Sequence, residues 1–532
     1  MASSDRVPAR SGPVLVALVL GAVVANINLG IANVALPSIG ADLHATQAQL
    51  TQIGDGFALG LAASVLYLGA IGDRYGRKLL FVLGAVLTVP TSAMAAWAPT
   101  PEFLAMSRVL GGFAAALLFP TTLSLIGALY AGKPQVRAIA LWSGIGGGVA
   151  ALGPVLGGWM LEHFWWGSVF LVAVPLDLAA LALGLWVIPW HAGEEVHPVD
   201  HLGGVLSVIG VGGLVLGIQQ LGRGFTPAEI ATVVFAVAAL GAFVWRQSRA
   251  PYPLVSLPLA RARTFWVAFL AGAITFGSLI GAMFIGQQFT QNVLQYDTLT
   301  AAAVVIPSAV MTAVFGQLAG RLISSRGSRP AFLLGLSSVA VAFVVMLTTW
   351  KAGTSIGWIL LAYALVGTGV GLAATPASHA LMSSVPSTRT GMGSAALDLT
   401  RDFGGAVIQA LMGVLLAGVY AAHLRSVFAH LPADQAAGLT QDAANQITSS
   451  YEGAAQVAAS YPDADATELI HAAAAAFTEG KSAAIAVGLV LTVIAIGVVL
   501  RLFPGRDAEN AYYETVAAGA TPVDPTAEAA SA

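Results

Sequence analysis

A stretch of about 20 consecutive apolar residues can satisfy its backbone in lipid only by coiling into a helix, because no water is there to bond an exposed N–H or C=O. The sequence holds such stretches at 13–37, 50–71, 79–98, 103–130, 137–161, 167–188, 203–221, 228–246, 265–290, 300–323, 331–349, 356–382, 391–420 and 482–503, separated by glycine, proline and charge. They are too long, and too uniformly apolar, to read as alternating barrel strands. The pattern predicts an all-α polytopic membrane protein with fourteen crossings.

Composition agrees and removes other classes. Of 532 residues, 57% are apolar and 9% charged, and the mean hydropathy is +0.81; soluble domains carry about a quarter charged residues. A net charge of −3 with no basic patch interleaved with aromatics leaves nucleic acid out as a partner. The absence of cysteine excludes disulfides, thiolate metal sites and cysteine nucleophiles. Arg6 and Arg10 precede the first apolar stretch as in a signal peptide, but that stretch runs about 24 residues where a signal core has about 7–15. It is expected to remain as the first helix.

Lysine and arginine set the expected orientation. With both ends cytoplasmic, 17 of the 23 basic residues fall on the cytoplasmic side, four outside and two within helices. The chain is thus expected in the cell membrane as a multi-pass protein, with 1–12 as a cytoplasmic N-terminus and 504–532 as a cytoplasmic tail of disordered composition. The one long hydrophilic interruption, 422–480, falls outside. Its seven acids and Ala-rich windows such as ADATELIHAAAAAF fit either a short helical hairpin over the outer face or a loosely ordered loop.

An internal repeat is visible. GGFAAALLFPTTLSLI (111–126) matches GTGVGLAATPASHALM (367–382), with the proline nine residues after the first glycine in each. GPVLGG (153–158) and GGAVIQALMG (404–413) follow at similar distances, and GAIGDRYGRK (69–78) is echoed weakly by GQLAGRLISSRGSR (316–329). A repeat of roughly 250 residues implies two related halves around a central site near the membrane midplane.

At these residues the chain resembles the major facilitator superfamily. GAIGDRYGRK is similar to the family's loop motif between the second and third helices, RVLGGFAAALLFP (108–120) to its fourth-helix arginine motif, GIGGGVAALGPVLGGWM (144–160) to the fifth-helix motif of its antiporters, and IANVALPSI (31–39) to the first-helix ending of the fourteen-helix drug:proton antiporter branch. The resemblance implies a major facilitator fold: a six-helix half at 13–188, two inserted helices with linkers at 189–264, and a second six-helix half at 265–503. It also implies alternating access, no cofactor and a monomer.

In the loop motif, Gly69, Asp73, Arg74, Gly76, Arg77 and Lys78 are read as a gate, since an acid beside a helix N-terminus and its charge partners can lock the two halves. The glycines of the antiporter motif are not a dinucleotide loop, having no strand before them. Gly153, Pro154, Gly157 and Gly158 are expected to give a tight, kinked helix contact that seals the outer side between the halves.

Charges within a membrane are costly and therefore informative. Asp55, Arg108, Asp177, Asp398, Arg401 and Asp402 make up the set. Asp55, Arg108 and Asn28 lie at similar depth, about 8 Å below the outer boundary at 1.5 Å per residue, so the three are expected to share a pocket, with Asp55 a candidate partner of Arg108. ALDLTRDFGGA places Asp398 and Asp402 on one face, with Arg401 three residues from the first. The resemblance to quaternary-ammonium exporters implies that Asp55 and Asp402, with Asp398 as a possible second, recognise cations or carry protons. An internal Asp–Arg clamp is the structural alternative.

Other polar positions read more plainly. Asp177, in VAVPLDLAALALG, is expected to make a structural hydrogen bond, as is His379 in TPASHALM. His191, His197 and His201 with Glu194 and Asp200 lie in a short solvated linker, a poor metal site. Gln288 and Gln291, three apart, with Gln287, Met283, Phe284 and Phe289 nearby, suit either a cavity for a bulky amphipathic substrate or helix packing.

The first helix departs from the resemblance. The drug antiporters carry an acid five residues before the asparagine of the NVALP ending; here that asparagine is Asn33 and the matching position is Asn28. An amide can bond Arg108 or a substrate but cannot cycle a proton, so coupling is expected on the second and thirteenth helices. The chain is expected to export lipophilic, cationic small molecules against protons. Alternatives are a lipid or hydrophobic-metabolite exporter on the same fold, or a membrane sensor. No enzyme-like grouping is recognisable.

Overall fold

The computed structural model describes residues 8, 10–45, 47–150, 153–190, 198–221, 227–386, 389–430, 440–449, 451–460 and 463–518, and its regular elements are helices. The first part of the chain forms α1 (Ser11–Leu43), α2 (Gln47–Tyr75), α3 (Arg77–Ala96), α4 (Pro101–Leu129), α5 (Lys133–Ala150), α6 (Gly153–His163), a 3₁₀ turn (Trp166–Phe170) and α7 (Val174–Val187). Then come α8 (His201–Leu221), α9 (Pro227–Gln247) and the short α10 (Leu257–Ala260). The remainder holds α11 (Arg263–Gln288) with a π turn (Phe289–Val293), α12 (Thr298–Ala303), α13 (Ile306–Arg326), α14 (Ser328–Thr349), α15 (Ile356–Ser383), α16 (Thr390–Ala429), α17 (Gln441–Ser449), α18 (Tyr451–Ala458), α19 (Asp463–Leu502) and α20 (Arg506–Ala517). Among the described residues, 12 helical stretches are long and apolar enough to cross a membrane, and α8 adds the shorter apolar stretch His201–Gly217. Each of the fourteen sequence windows is occupied chiefly by helix, which is consistent with fourteen crossings.

Lipid offers no hydrophobic drive between helices, so they associate where small residues let backbones touch. On α4, a Cβ added at Gly112 would sit 2.2 Å from the Phe57 carbonyl oxygen of α2. On α15, one at Gly367 would sit 2.1 Å from the Ser308 carbonyl oxygen of α13. These are the helices that the sequence repeat relates, and each carries its proline internally, Pro120 and Pro376. Each repeated helix thus packs on its partner through a glycine, Gly112 standing one position after Gly111, the match of Gly367.

The helices α8 and α9 pack on each other, and α8 lies against α2, where Gly204 faces the Tyr67 ring. Asp200 ties their linkers together: it accepts from Arg246 at 3.1 Å and Gln247 at 3.3 Å, and Gln247 in turn accepts from the Val255 N–H at 3.1 Å. His201 Nδ1 lies 2.7 Å from the Tyr67 hydroxyl. His191, Glu194 and His197 fall outside the described residues, among which no group of three metal-binding side chains occurs.

Two expectations are corrected. In the interruption at 422–480 the described residues are chiefly helical and include the short packed pair α17 and α18, as the hairpin reading expected, but its two ends belong to long helices: α16 and α19 each run 40 residues, about 60 Å, roughly twice the hydrocarbon thickness. They project beyond the membrane, with α17 and α18 against them. Tyr420 donates to the Ile447 carbonyl at 3.1 Å, Gln295 donates to the Tyr451 hydroxyl at 3.0 Å, and His423 pairs with Glu479. The sequence windows ended at the apolar boundary and so missed the continuation.

The tail is the second correction. Residues 506–517 form α20, whose Glu509, Tyr512 and Val516 share one buried face. Glu509 Oε2 accepts from the Ser328 N–H at 2.9 Å, at the first residue of α14, a helix whose own N-cap, Gly327, has φ +85° and no side chain to offer. Arg506 donates to the Ser324 carbonyl at 3.4 Å and Tyr513 to Glu509 Oε1 at 3.2 Å. Average composition suggested disorder, but the amphipathic spacing gives this segment a face to bury.

Burial raises the Glu509 carboxyl above its ordinary range, against the hydrogen bonds from Ser328 and Tyr513. A folded-state pKa above the unfolded one means that docking of α20 takes up a proton. Docking is therefore strongest below the ordinary glutamate value of about 4.3 and weakens as pH rises through the raised value. Limited proteolysis of the tail is expected to accelerate with rising pH, and Glu509→Gln to flatten that dependence. Glu509→Ala is expected to cost about 1–3 kcal/mol of docking, leaving Ser328 unsatisfied.

Candidate functional site

The loop motif closes one end of the bundle. Gly76 has φ +113°, a conformation that favours glycine, and it turns α2 directly into α3. Asp73, 3% exposed, receives Arg77 Nε at 3.0 Å and Nη2 at 2.8 Å, and also the Gly391 N–H at 2.9 Å. Gly391 lies in the first turn of α16, which its N-cap residue Arg389 does not cap through the side chain. The acid of the motif thus caps a helix more than 300 residues away, where the dipole favours a negative charge. Gly69 and Gly391 let the backbones approach: a Cβ at Gly391 would lie 2.4 Å from the Gly69 carbonyl oxygen. Lys78 caps the opposite kind of terminus, donating to the Leu185 and Ile188 carbonyls at 2.9 and 2.6 Å at the end of α7, with the Trp190 ring 4.4 Å away. Arg74 lies over the Tyr75 ring at 5.6 Å.

Arg108, 3% exposed on α4, meets α1 and α2 as expected, through different atoms. Its Nη2 donates to the backbone carbonyl of Asn28 at 2.9 Å and its Nε to that of Ile53 at 3.4 Å. Phe57 and Phe170 flank the guanidinium at 4.8 and 5.4 Å. The Asn28 amide is not its partner; it donates to the Val24 carbonyl at 3.0 Å, and Asn26 likewise to Ala22 at 2.9 Å. A helical amide bonds more cheaply to its own preceding turn than by reaching across. The side chains of Asp55 and Asn33 fall outside the described residues, although both positions lie in helices.

Around α16 the structure departs from a simple clamp. Arg401 Nε bonds Asp402 Oδ1 at 3.0 Å, its immediate neighbour rather than Asp398. Asp398 is 2% exposed, and its Oδ2, like that of Asp402, has no hydrogen-bond partner. The Arg401 guanidinium reaches across to α4 and lies 4.4 Å over the Phe119 ring, which packs 5.2 Å from Trp142 of α5. Trp142 is fixed by donating to Thr122 at 2.8 Å. Sequence reading missed Phe119 and Trp142, although Phe119 stands beside the repeat proline and Trp142 just before the antiporter glycines.

The antiporter motif divides its work. Gly144 packs on α13, with a Cβ position 3.2 Å from the Ala313 carbonyl oxygen, and Gln317 of α13 donates to the Ala140 carbonyl at 3.3 Å. Gly153 and Gly157 instead face α1, 3.6 Å from the Ile27 carbonyl oxygen and 3.1 Å from Ile31, while Gly158 faces open space. Of the expected positions Gly153 and Gly157 pack α6 on its own neighbour α1, and the earlier Gly144 makes the contact with α13. Pro154 is the second residue of α6, where its missing N–H costs nothing; its side chain is outside the described residues.

Gln288 ends α11 and donates to the Phe284 carbonyl at 3.4 Å. Gln291 lies in the π turn, whose wider pitch breaks the shared face that α-helical spacing predicted. The turn is anchored by Lys481, fully buried, which donates to the Trp350 carbonyl and lies 5.2 Å from the Phe289 ring. His379 has an unbonded Nδ1 and meets the Tyr513 ring edge-on at 5.5 Å, so it packs without the expected bond at that atom.

A helical bundle with a doubled glycine seam and buried charge where its repeats meet defines a polytopic membrane transporter. The chain belongs to the major facilitator superfamily, whose family model matches residues 18–409. It is 33% identical over 504 residues to the multidrug efflux pump LfrA of Mycolicibacterium smegmatis, covering 94% of this chain and 98% of that protein. The methyl viologen resistance protein SmvA of Salmonella typhimurium is 29% identical, with 91% and 96% covered. The tetracenomycin C resistance and export protein of Streptomyces glaucescens is 28% identical, with 77% and 76% covered. Among solved structures the human organic anion transporter MFSD10 aligns with a TM-score of 0.56 at 13% identity, covering 92% of this chain and 98% of that one, a likeness of fold.

Asp73 joins two buried donors on separate helices, so its loss should open this end. With no native cysteine to mask, spin labels at Tyr75→Cys and Ser325→Cys are expected to show a single short-distance population, and Asp73→Asn to add a longer one. Unchanged distances in the variant would remove the gating role.

Proposed function

We propose that the protein is a proton-coupled exporter of lipophilic, cationic small molecules. It works as a monomer without a cofactor, in the cell membrane, with both termini and the Asp73 end cytoplasmic. Residues 13–188 and 265–503 rock against each other across the α5–α13 and α2–α16 contacts, carrying the inserted helices along. The observation that carries the reading is the Asp398, Arg401 and Asp402 cluster of α16 against Phe119 of α4. Two buried carboxyl oxygens without hydrogen-bond partners sit beside a cation that is hydrogen-bonded to Asp402, attracted by Asp398 and stacked on one ring face.

The chemistry follows from exchange. The face of Phe119 now occupied by Arg401 attracts any cation, including an organic one, by about 0.5–2 kcal/mol. A bound lipophilic cation would displace the guanidinium and find Asp398 and Asp402 ionised; protonation of either acid removes that attraction and releases it. Protons moving inward then drive cations outward. The names of the relatives, multidrug efflux and methyl viologen resistance among them, favour this substrate class.

In liposomes holding purified protein, with tetraphenylphosphonium as probe, an imposed pH gradient is expected to drive concentrative transport. Asp402→Asn and Asp398→Asn should each abolish the uphill component. Phe119→Ala should raise the half-saturating probe concentration several-fold, consistent with loss of a cation–ring contact. If wild-type protein moves a fluorescent lipid and not the probe, the cargo is lipid and the reading of the site as a cation site fails.

A further inference from the structure

Asp177 is a buried acid outside the α16 cluster, for which the sequence suggested a structural hydrogen bond. It is 0% exposed, and both carboxyl oxygens lack a hydrogen-bond partner, so the structural bond expected of it is absent. It sits on the seam face of α7 with Ala173, Ala180, Gly184 and Val187, all buried, while Leu178 beside it faces outward.

We propose that Asp177 is a second proton carrier, loaded from the recess that contains Arg108. The register between α3 and α7 places it there. The Phe81 ring of α3 lies 2.4 Å from the Cβ position of Gly184, and the two helices run antiparallel, so Thr88, seven residues on, stands level with Asp177, seven residues back. Thr88 also lines a small recess walled by Asn28, Phe57, Ser92, Arg108 and Phe170. The recess has room for about one water. Water in the recess therefore stands one residue layer from the carboxyl.

No counter-ion explains the acid. On α1 the one titratable side chain is Asp42, which accepts from Trp166, eleven residues before Asp177. Arg10, just ahead of α1, lies over Trp186, nine residues after it. On α3 the charges are Arg77, bound to Asp73, and Lys78, bound at Leu185 and Ile188. Arg108 approaches no nearer than the Phe170 ring in its described contacts, seven residues away, and is held by two carbonyls. An ionised carboxylate without a partner is far costlier to bury than a neutral one, and even the neutral acid is destabilised with its hydrogen bonds unmade. That cost is recovered in another conformation, where water or a partner reaches the group. In the present state water in the outer recess delivers a proton to the carboxylate, and the rocking of this half against the other exposes the acid to the inner side, where the O–H bond breaks to water.

This inference rests on proton coupling as proposed above, and the tests separate the two. Infrared titration of the purified wild type should show a protonated-carboxyl stretch at neutral pH that Asp177→Asn removes; its survival in the variant would overturn the proposal. In the pH-driven liposome assay, Asp177→Asn should lose uphill tetraphenylphosphonium transport yet still equilibrate preloaded probe, and Asp177→Glu should restore uphill transport with a displaced pH profile. If the wild type is driven and Asp177→Asn keeps an unchanged profile, Asp177 only fills space. If the wild type itself is not driven, proton coupling fails as a whole. Should Asp177→Asn melt below the assay temperature, Asp177→Glu against wild type carries the test, and an unmoved pH profile overturns the proposal.

Discussion

Every buried charge in a membrane protein must be answered from inside the protein, and here the helix backbone gives most of the answers. Arg108 is held by the Asn28 and Ile53 carbonyls, Lys78 by the end of α7, and Lys481 by the Trp350 carbonyl. On the other side, Asp73 and Glu509 accept from the Gly391 and Ser328 N–H groups at helix starts. Unsatisfied backbone groups at helix ends carry partial charge, so one contact settles both the terminus and the side chain. Against this background the acids left open, Asp177 and the Oδ2 atoms of Asp398 and Asp402, stand apart.

The same economy shapes the bundle. Glycine seams at α2–α4 and α13–α15 make rigid pairs, and further glycine contacts at α5–α13 and α2–α16 join what lies on either side of the repeat. Those joining contacts are of two kinds. Along α5–α13 the approach is between small residues with one Gln317 bond, a surface that can slide. At α2–α16 it adds a buried charge pair and a helix cap, which hold until all the partners part together.

Much of this was readable before the structure. The windows located the helices because lipid leaves the backbone one solution, and the matched prolines at Pro120 and Pro376 identified the repeat. Asp73, Arg108 and the α16 acids were found because charge in an apolar run is rare. Their partners were not readable. Arg108 was expected to meet Asp55 or the Asn28 amide and bonds the Asn28 carbonyl, the Asp55 side chain lying outside the described residues; Arg401 was expected three residues from its acid and binds its neighbour while reaching for Phe119. Backbone acceptors carry no residue identity, so sequence cannot point to them. The tail helix was hidden for a related reason: α20 is polar on average, and only the uncapped start of α14 gives its Glu509 a place to dock.

The sequence by itself determined that the chain crosses a membrane many times, that it is built twice over, and which side chains carry charge where charge is costly. Those properties are set by local composition and period, and lipid enforces them segment by segment. Only the tertiary structure decided which helix ends each charge would answer, which of two asparagine groups would face Arg108, and which acids would be left without a partner. These depend on the register between helices distant in the chain, fixed by where glycines such as Gly69, Gly391 and Gly184 allow backbone or ring to come close.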